Sequence, residues 1–175
     1  MAGYDFSRMH VLCVDDNRHM LTLLRTMLQG FGIKDVAECV DAADAFEACR
    51  RRSPDLILTD IRMEPLDGLE FIRLLRTASD SPNPFVPIIV ISAYSERRIV
   101  EQARDAGMTE WLAKPVTARD LLLRIREVVE RPRVFVRSKK YFGPDRRRRP
   151  SEYRGENERR ADLLAKAGAP GILSV

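Results

Sequence analysis

The chain has 175 residues, with 30 Lys and Arg against 26 Asp and Glu and a formal net charge of +4, enough for one domain of common size with something appended. The charge is polarised: residues 1–130 hold 17 basic and 21 acidic side chains and residues 131–175 hold 13 and 5. The pI near 9.2 therefore belongs mostly to the tail and does not make the whole protein a nucleic-acid binder. Cys13, Cys39 and Cys49 are odd in number and follow no metal-ligand spacing, and His10 and His19 lack a partner cluster, which argues against a disulfide framework and a zinc site; with no signal-like or membrane-length apolar run, the sequence points to a soluble, cytoplasmic protein with no membrane partner.

In chain order, His10–Val14 reads as a short apolar strand that runs into Asp15-Asp16, and Asn17 is placed to cap a helix. Met20, Leu21, Leu23, Leu24, Met27 and Leu28 then recur at helical spacing up to Gly30 and Gly32. Val36–Val40 suits a second, partly polar strand, and Asp41 or Asp44 opens a helix that ends on the basic run Arg50-Arg51-Arg52, a charge suited to the helix dipole. The stretch Asp55–Gly68, DLILTDIRMEPLDG, supplies a third strand whose apolar run ends on one carboxylate, Asp60, before a loop with Pro65 and Gly68. Leu69–Thr77 is a third helix, and the proline-rich 80–87 a loop. Val86–Ile91 is the most aliphatic strand and stops at Ser92; a mixed helix follows over 96–106, closed by Gly107. Glu110–Ala113 is a fifth strand ending at Lys114-Pro115, and Ala118–Glu130 a fifth helix.

Five strands alternating with five helices predict a parallel sheet covered on both faces, with right-handed crossovers. Ligands of such sheets bind beyond the carboxyl ends of the strands. Those ends gather Asp15, Asp16, Asp60, Ser92 and Lys114. Each alone has a plainer reading as a turn or cap residue; their coincidence favours a site. Three carboxylates repel unless a cation sits among them, and a hard divalent ion with oxygen ligands, Mg2+, suits them. Lys114 then meets a phosphoryl oxygen and the Ser92 hydroxyl donates a hydrogen bond. No glycine-rich GxxxxGK[ST] loop is present to hold a nucleotide, so the phosphoryl group arrives by another carrier, and a carboxylate can accept it as an acyl phosphate.

The acidic pair Asp15-Asp16, Asp60 with Leu66-Asp67-Gly68 beyond it, Ser92-Ala93 and Lys114-Pro115 together resemble the receiver domain of bacterial two-component response regulators, of the stand-alone, chemotaxis-regulator-like kind. The resemblance covers roughly residues 8–130. It implies a flavodoxin-like, doubly wound five-stranded sheet of order 2-1-3-4-5, an order given for a member of this same family. It implies Asp60 as phosphoacceptor from a histidine kinase or phosphotransfer protein. It further implies Mg2+ held by Asp15, Asp16, Asp60 and the Arg62 backbone carbonyl, Lys114 paired with the phosphoryl group, and a cis Lys114-Pro115 bond. Ser92 and Trp111 would form the switch that alters the surface of the fourth helix and fifth strand; Trp111 stands where the family usually has Tyr or Phe. The protein would promote only its own phosphotransfer and dephosphorylation, and is not otherwise an enzyme. A haloacid-dehalogenase-type phosphohydrolase uses similar groups, but its first-strand DxD does not fit Asp15-Asp16-Asn17.

The sequence departs from the family pattern in the loop after Asp60, where Glu64 holds the place usual for proline and Pro65 follows. Arg62 and Tyr94, two residues past Asp60 and Ser92, border the expected phosphoryl position with bulk that predicts slow loss of phosphate. The domain is set at 1–131, with 132–175 a short, basic, partly disordered C-terminal extension. Within it, disorder ranks first for 144–155; docking by Phe135, Tyr141 and Phe142 onto a partner or the receiver itself ranks second, and nucleic-acid contact through Arg146–Arg149 third. Gly143-Pro144-Asp145 reads as a turn and 156–166 as a short helix. The reading is a single-domain response regulator that switches contacts with an unknown downstream protein. A phosphorelay shuttle or sink and a nucleic-acid-binding regulator are the alternatives, with nucleic acid disfavoured.

Overall fold

The computed structural model describes residues 5–146 and the backbone of the strand at 172–174. Elements follow the alternation read from the sequence: β1 (His10–Val14), α1 (Arg18–Gly30), β2 (Asp35–Cys39), α2 (Ala42–Arg51), β3 (Leu56–Thr59), α3 (Gly68–Thr77), β4 (Ile88–Ser92), α4 (Arg97–Ala106), β5 (Glu110–Ala113) and α5 (Ala118–Glu130). The strands form one parallel sheet in the order β2-β1-β3-β4-β5, the order the resemblance implies. The aliphatic run at 86–91 yields a strand that starts at Ile88 and takes in Ser92. Pro87 lacks an amide proton and gives the ladder only its carbonyl, to Ile57 N at 3.0 Å.

Side chains alternate along each strand, so the sheet divides the interior in two. Leu12, Val14, Ile57, Ile88 and Val90 pack with Phe71, Ile72 and Leu75 of α3, Ala45 of α2 and Ala103 of α4. Val11, Cys13, Leu58, Ile89 and Ile91 pack on the other face with Leu21, Leu24 and Leu28 of α1 and Leu121 and Ile125 of α5. The cysteines are free thiols, and burial pushes Cys13 and Cys49 up, Cys49 to about 12, so they serve as small apolar side chains. Among the described residues no helix is long and apolar enough to cross a membrane.

Local signals set the helix starts. Asn17 accepts from the amides of His19 and Met20, Asp41 from Asp44 N, and Thr117 from Asp120 N. Asp67 and Glu70 close a reciprocal capping box on α3. α4 is the exception: Glu96 makes no side-chain cap, and of its ten residues only Ala103 and Ala106 are buried.

The chain beyond α5 turns back on the domain. Strands β6 (Phe135–Arg137), β7 (Phe142–Pro144) and β8 (Ile172–Ser174) form a second sheet, with β6 between antiparallel β7 and parallel β8. Phe135 and Phe142 are buried against Phe85, with ring centroids 5.2, 5.4 and 5.7 Å apart. Docking on the receiver's own surface is thus what the described part of the extension does. The expected turn at Gly143-Pro144-Asp145 lies elsewhere: Gly143 and Pro144 belong to β7, and the chain reverses through residues 138–141, where Ser138 N donates to Tyr141 O at 2.8 Å. β7 is an edge strand, where proline is tolerated, and at Gly143 a Cβ would come within 2.9 Å of Gly107 Cα. The disorder expected at 144–155 does not hold for its first three residues: Pro144 ends β7, Asp145 N donates to Val134 O at 2.7 Å and Arg146 lies 3.3 Å from Asp105, because strand pairing and an ion pair tie them to the domain. The rest of that stretch, 147–155, and the helix expected at 156–166 lie outside the described residues.

One glycine fixes the loop that carries Asp60. Gly68 N donates to Ile61 O at 2.7 Å, and a Cβ on Gly68 would collide with the Asp60 carbonyl oxygen. Gly68→Ala is expected to lower the unfolding free energy in urea by about 1–3 kcal/mol, the range for overpacking. Gly30→Ala, with nothing within 4 Å of the added carbon, is expected to cost nothing; equal losses in the two variants would show that the loop does not depend on this close approach.

Candidate functional site

Strand registers bring the residues together. Val14 pairs with Thr59 and Thr59 with Val90, while Ser92 pairs with Ala113, so four strands end nearly flush. The ladder runs one step past these ends: Asp15 N donates to Cys39 O at 3.2 Å, Asp60 N to Val14 O at 3.0 Å and Lys114 N to Ser92 O at 2.8 Å. The backbones of two acids and the lysine are thereby fixed by the sheet itself.

At this rim the Lys114 ammonium lies 3.0 Å from Asp15 Oδ2 and 3.4 Å from Asp60 Oδ2. The other oxygens are held by backbone amides, Asp15 Oδ1 by Asn17 N at 2.9 Å and Asp60 Oδ1 by Ile61 N at 2.8 Å. Asp15 is buried, Asp60 partly buried and Asp16 exposed, and one oxygen of each lies within 4.8 Å of the others. Burial raises the Asp60 pKa above the ordinary carboxylate value, and the Lys114 charge offsets this only in part. Burial also opposes the Lys114 ammonium, but the Asp15 hydrogen bond and the Asp60 charge outweigh it and the lysine pKa rises.

Ser92 is fully buried and its hydroxyl accepts from Tyr94 N at 3.2 Å. Trp111 lies two residues before the rim, paired with Val90 and half-buried against the α2–α3–α4 core. Arg62 is exposed in the β3–α3 loop, its guanidinium 4.0 Å above the Tyr94 ring, a cation–π contact. Glu64-Pro65 and Lys114-Pro115 are both cis, with buried Ile61 and Met63 anchoring the altered loop. The five residues read from strand ends thus share one edge, with Trp111 behind it and Arg62 beside it. Sequence reasoning missed the Asn17 and Ile61 amides, which no residue type advertises, and the stacking of Arg62 on Tyr94. Neither histidine belongs to the site: His10 opens β1 at the opposite end of the sheet and bonds Asp35 at 3.0 Å, and His19 lies in α1.

The donor set is one that a hard divalent cation accepts: three carboxylates at one edge with one of them exposed, and no thiolate or imidazole among them. It also offers a partly buried carboxylate beside an ammonium, the pairing needed to form and balance an acyl phosphate.

The chain is similar to known proteins. The family model for the response regulator receiver domain matches residues 11–126. The transcriptional regulatory protein PdtaR of Mycobacterium tuberculosis is 35% identical over 69% of this chain and 57% of its own length. The KDP operon transcriptional regulatory protein KdpE of Escherichia coli is 38% identical over 70% and 52%, so the chain spans about half the length of these curated relatives. Among solved structures, the chemotaxis response regulator CheY4 of Vibrio cholerae superposes with a TM-score of 0.63 at 27% identity, covering 69% of this chain and 98% of that one. The receiver domain of the sensor histidine kinase PA1611 of Pseudomonas aeruginosa, solved with magnesium coordinated in its active-site cleft, gives 0.63 at 30% identity over 70% and 98%.

The lysine makes the rim pH-sensitive on the alkaline side. Its folded-state pKa is raised above that of an ordinary lysine, so its pairing stabilises the fold fully below the ordinary value and is lost as pH rises through the higher folded one. The urea midpoints of wild type and Lys114→Met are expected to differ most near neutrality and to converge in strong alkali. A gap that stays constant across that window would sink the pairing argument.

Proposed function

The chain belongs to the response regulator receiver domain family, and on that premise we propose that Asp60 accepts a phosphoryl group from the phosphohistidine of a cytoplasmic histidine kinase or phosphotransfer protein and that the change in charge alters contacts with a downstream protein. The observation that carries this reading is the Lys114 ammonium set 3.0 Å from Asp15 and 3.4 Å from Asp60 on one rim, with Asp16 within reach.

Asp15, Asp16 and Asp60, with the Arg62 backbone carbonyl, are the groups that would hold Mg2+, which when bound neutralises charge on the transferring phosphoryl oxygens. The chain's own residues do the rest. Asp60 Oδ2 attacks phosphorus in line, a P–O bond forms as the P–N bond to the donor imidazole breaks, and the imidazole nitrogen keeps the electron pair and takes a proton. Lys114, already within 3.4 Å of the attacking oxygen, balances the charge that arrives. The Ser92 hydroxyl exchanges the Tyr94 amide for a phosphoryl oxygen, and the space it leaves admits Trp111, changing the surface formed by α4 and β5. No separate substrate is turned over: the chain promotes only the transfer onto Asp60 and the later loss of the phosphoryl group from it. The Arg62 guanidinium stacked on Tyr94 screens the phosphoryl group from attacking water and so slows its loss.

Incubation with Mg2+ and acetyl phosphate is expected to give a single phosphoryl adduct by intact mass, with a change in Trp111 fluorescence, and none in Asp60→Ala. Wild type that takes no adduct from any small phosphodonor refutes the reading. Arg62→Ala and Tyr94→Ala are each expected to shorten the adduct's lifetime several-fold. An unchanged decay in both removes the screening role and leaves the acceptor role standing.

A further inference from the structure

The docked extension holds the receiver at three points that lie close together in the chain, all at the end of the sheet opposite the acid rim. The Arg133 guanidinium donates to Glu110 Oε1 at 2.6 Å; Glu110 is the first residue of β5, buried, and also 3.5 Å from Arg124 of α5. Arg146 lies 3.3 Å from Asp105 in the last turn of α4, its guanidinium 4.1 Å over the Tyr141 ring. Gly143 presses on Gly107, the left-handed residue that ends α4, closely enough that a Cβ would reach 2.9 Å from Gly107 Cα. The hairpin is itself well tied: Asp145 N donates to Val134 O at 2.7 Å, the Tyr141 hydroxyl to Pro144 O at 2.8 Å, and the Phe85–Phe135–Phe142 cluster seats it.

These grips fall on the one segment that connects the candidate switch residues. α4 leaves the rim just past Ser92 and Tyr94 and ends at the hairpin, a rod of ten residues, about 15 Å long. It has no side-chain cap at its start and buries only two alanines, the profile of an element that shifts as a unit at low cost. Glu110 is next in sequence to Trp111. A shift begun at Ser92 therefore reaches Asp105 and Gly107 through the helix, and a shift of Trp111 reaches Glu110 through the strand. The contacts they disturb are a buried ion pair and a glycine-to-glycine approach, which tolerate little displacement.

We propose that the β6–β7 hairpin is the receiver's own output element: it is docked in the unmodified protein and is released from α4 and β5 when Asp60 carries a phosphoryl group. Release bares Phe85, Phe135 and Phe142 as an apolar surface beside a basic segment. The inference rests on the acceptor role given to Asp60 above. Coupling is reciprocal, so weakening the clasp favours the phosphorylated state.

The test uses the full chain. Amide hydrogen exchange across 135–144 is followed with Mg2+, with and without acetyl phosphate, while intact mass counts the adduct in the same samples. Exchange in these strands is expected to quicken by about fivefold or more, the lower bound of common coupling factors, in step with the adduct. Arg133→Ala is expected to accumulate more adduct than wild type at limiting acetyl phosphate. Adduct formation with exchange at 135–144 unchanged or slowed overturns the output role and leaves the acceptor role intact. Absence of the adduct in wild type overturns both.

Discussion

Three carboxylates crowd one edge of the sheet, and the Lys114 ammonium is the charge in the protein itself that makes the crowding tolerable. Its position is a consequence of topology. A lysine 99 residues from Asp15 in sequence reaches it because β5 ends flush with β4 and the ladder continues one residue past both strands. The same continuation fixes Asp15 beside β2 and Asp60 beside β1. The site is thus set on backbone hydrogen bonds rather than on a flexible loop. The groups that hold the free oxygens of Asp15 and Asp60 are amides of the residues just beyond. Burial leaves Asp60 less acidic than an ordinary carboxylate, and the Lys114 charge offsets this only in part.

Much of this was legible from the sequence because it is written in side chains at strand ends. The run Leu56-Ile57-Leu58 must be buried on both faces, and Asp60 follows it; Ile88–Ile91 ends on Ser92 in the same way. Capping was legible for the same reason, since Asn17 and Asp41 use side-chain oxygens. What could not be read was whatever depends on main-chain groups or on distant partners. The amides of Asn17 and Ile61 belong to no residue type. Gly143-Pro144 carries the local signature of a turn, yet it pairs with β6 as a strand, and room for a side chain at 143 is closed by Tyr141 and by Gly107, which lies 36 residues earlier. The aromatics of the extension marked a docking segment, but the surface they meet is built from Phe85, Arg76 and the end of α4, three places with no common pattern in sequence.

α4 stands apart from the other helices in a manner that suits its place. The remaining four use side-chain caps and bury three or more residues each, whereas α4 has two buried alanines and an uncapped start. It packs on the core through Ala103 and Ala106, with Ile99 and Val100 beside them, and its far end meets the hairpin at Asp105 and Gly107. A helix with so small a buried face and a partner at its far end is suited to carrying displacement from the rim to the hairpin.

Arg76, in the last turn of α3, gives the extension a signature that can be sought in other chains. It is buried, meets no carboxylate among the described residues, and donates to Gly107 O at 3.0 Å and Pro84 O at 2.8 Å while its guanidinium lies 5.1 Å from the Phe135 ring. Burial lowers its pKa to about 9, so it is charged at neutral pH beside the Phe135 ring of the extension. A lysine there could not reproduce the fork, and a side chain on Gly107 would strike the arginine stem. Arginine at 76, glycine at 107 and 143 and an aromatic ring at 135 meet at one place in the fold, so the clasp rests on four letters scattered over 68 positions, and a larger side chain at either glycine or a shorter one at 76 would disturb it.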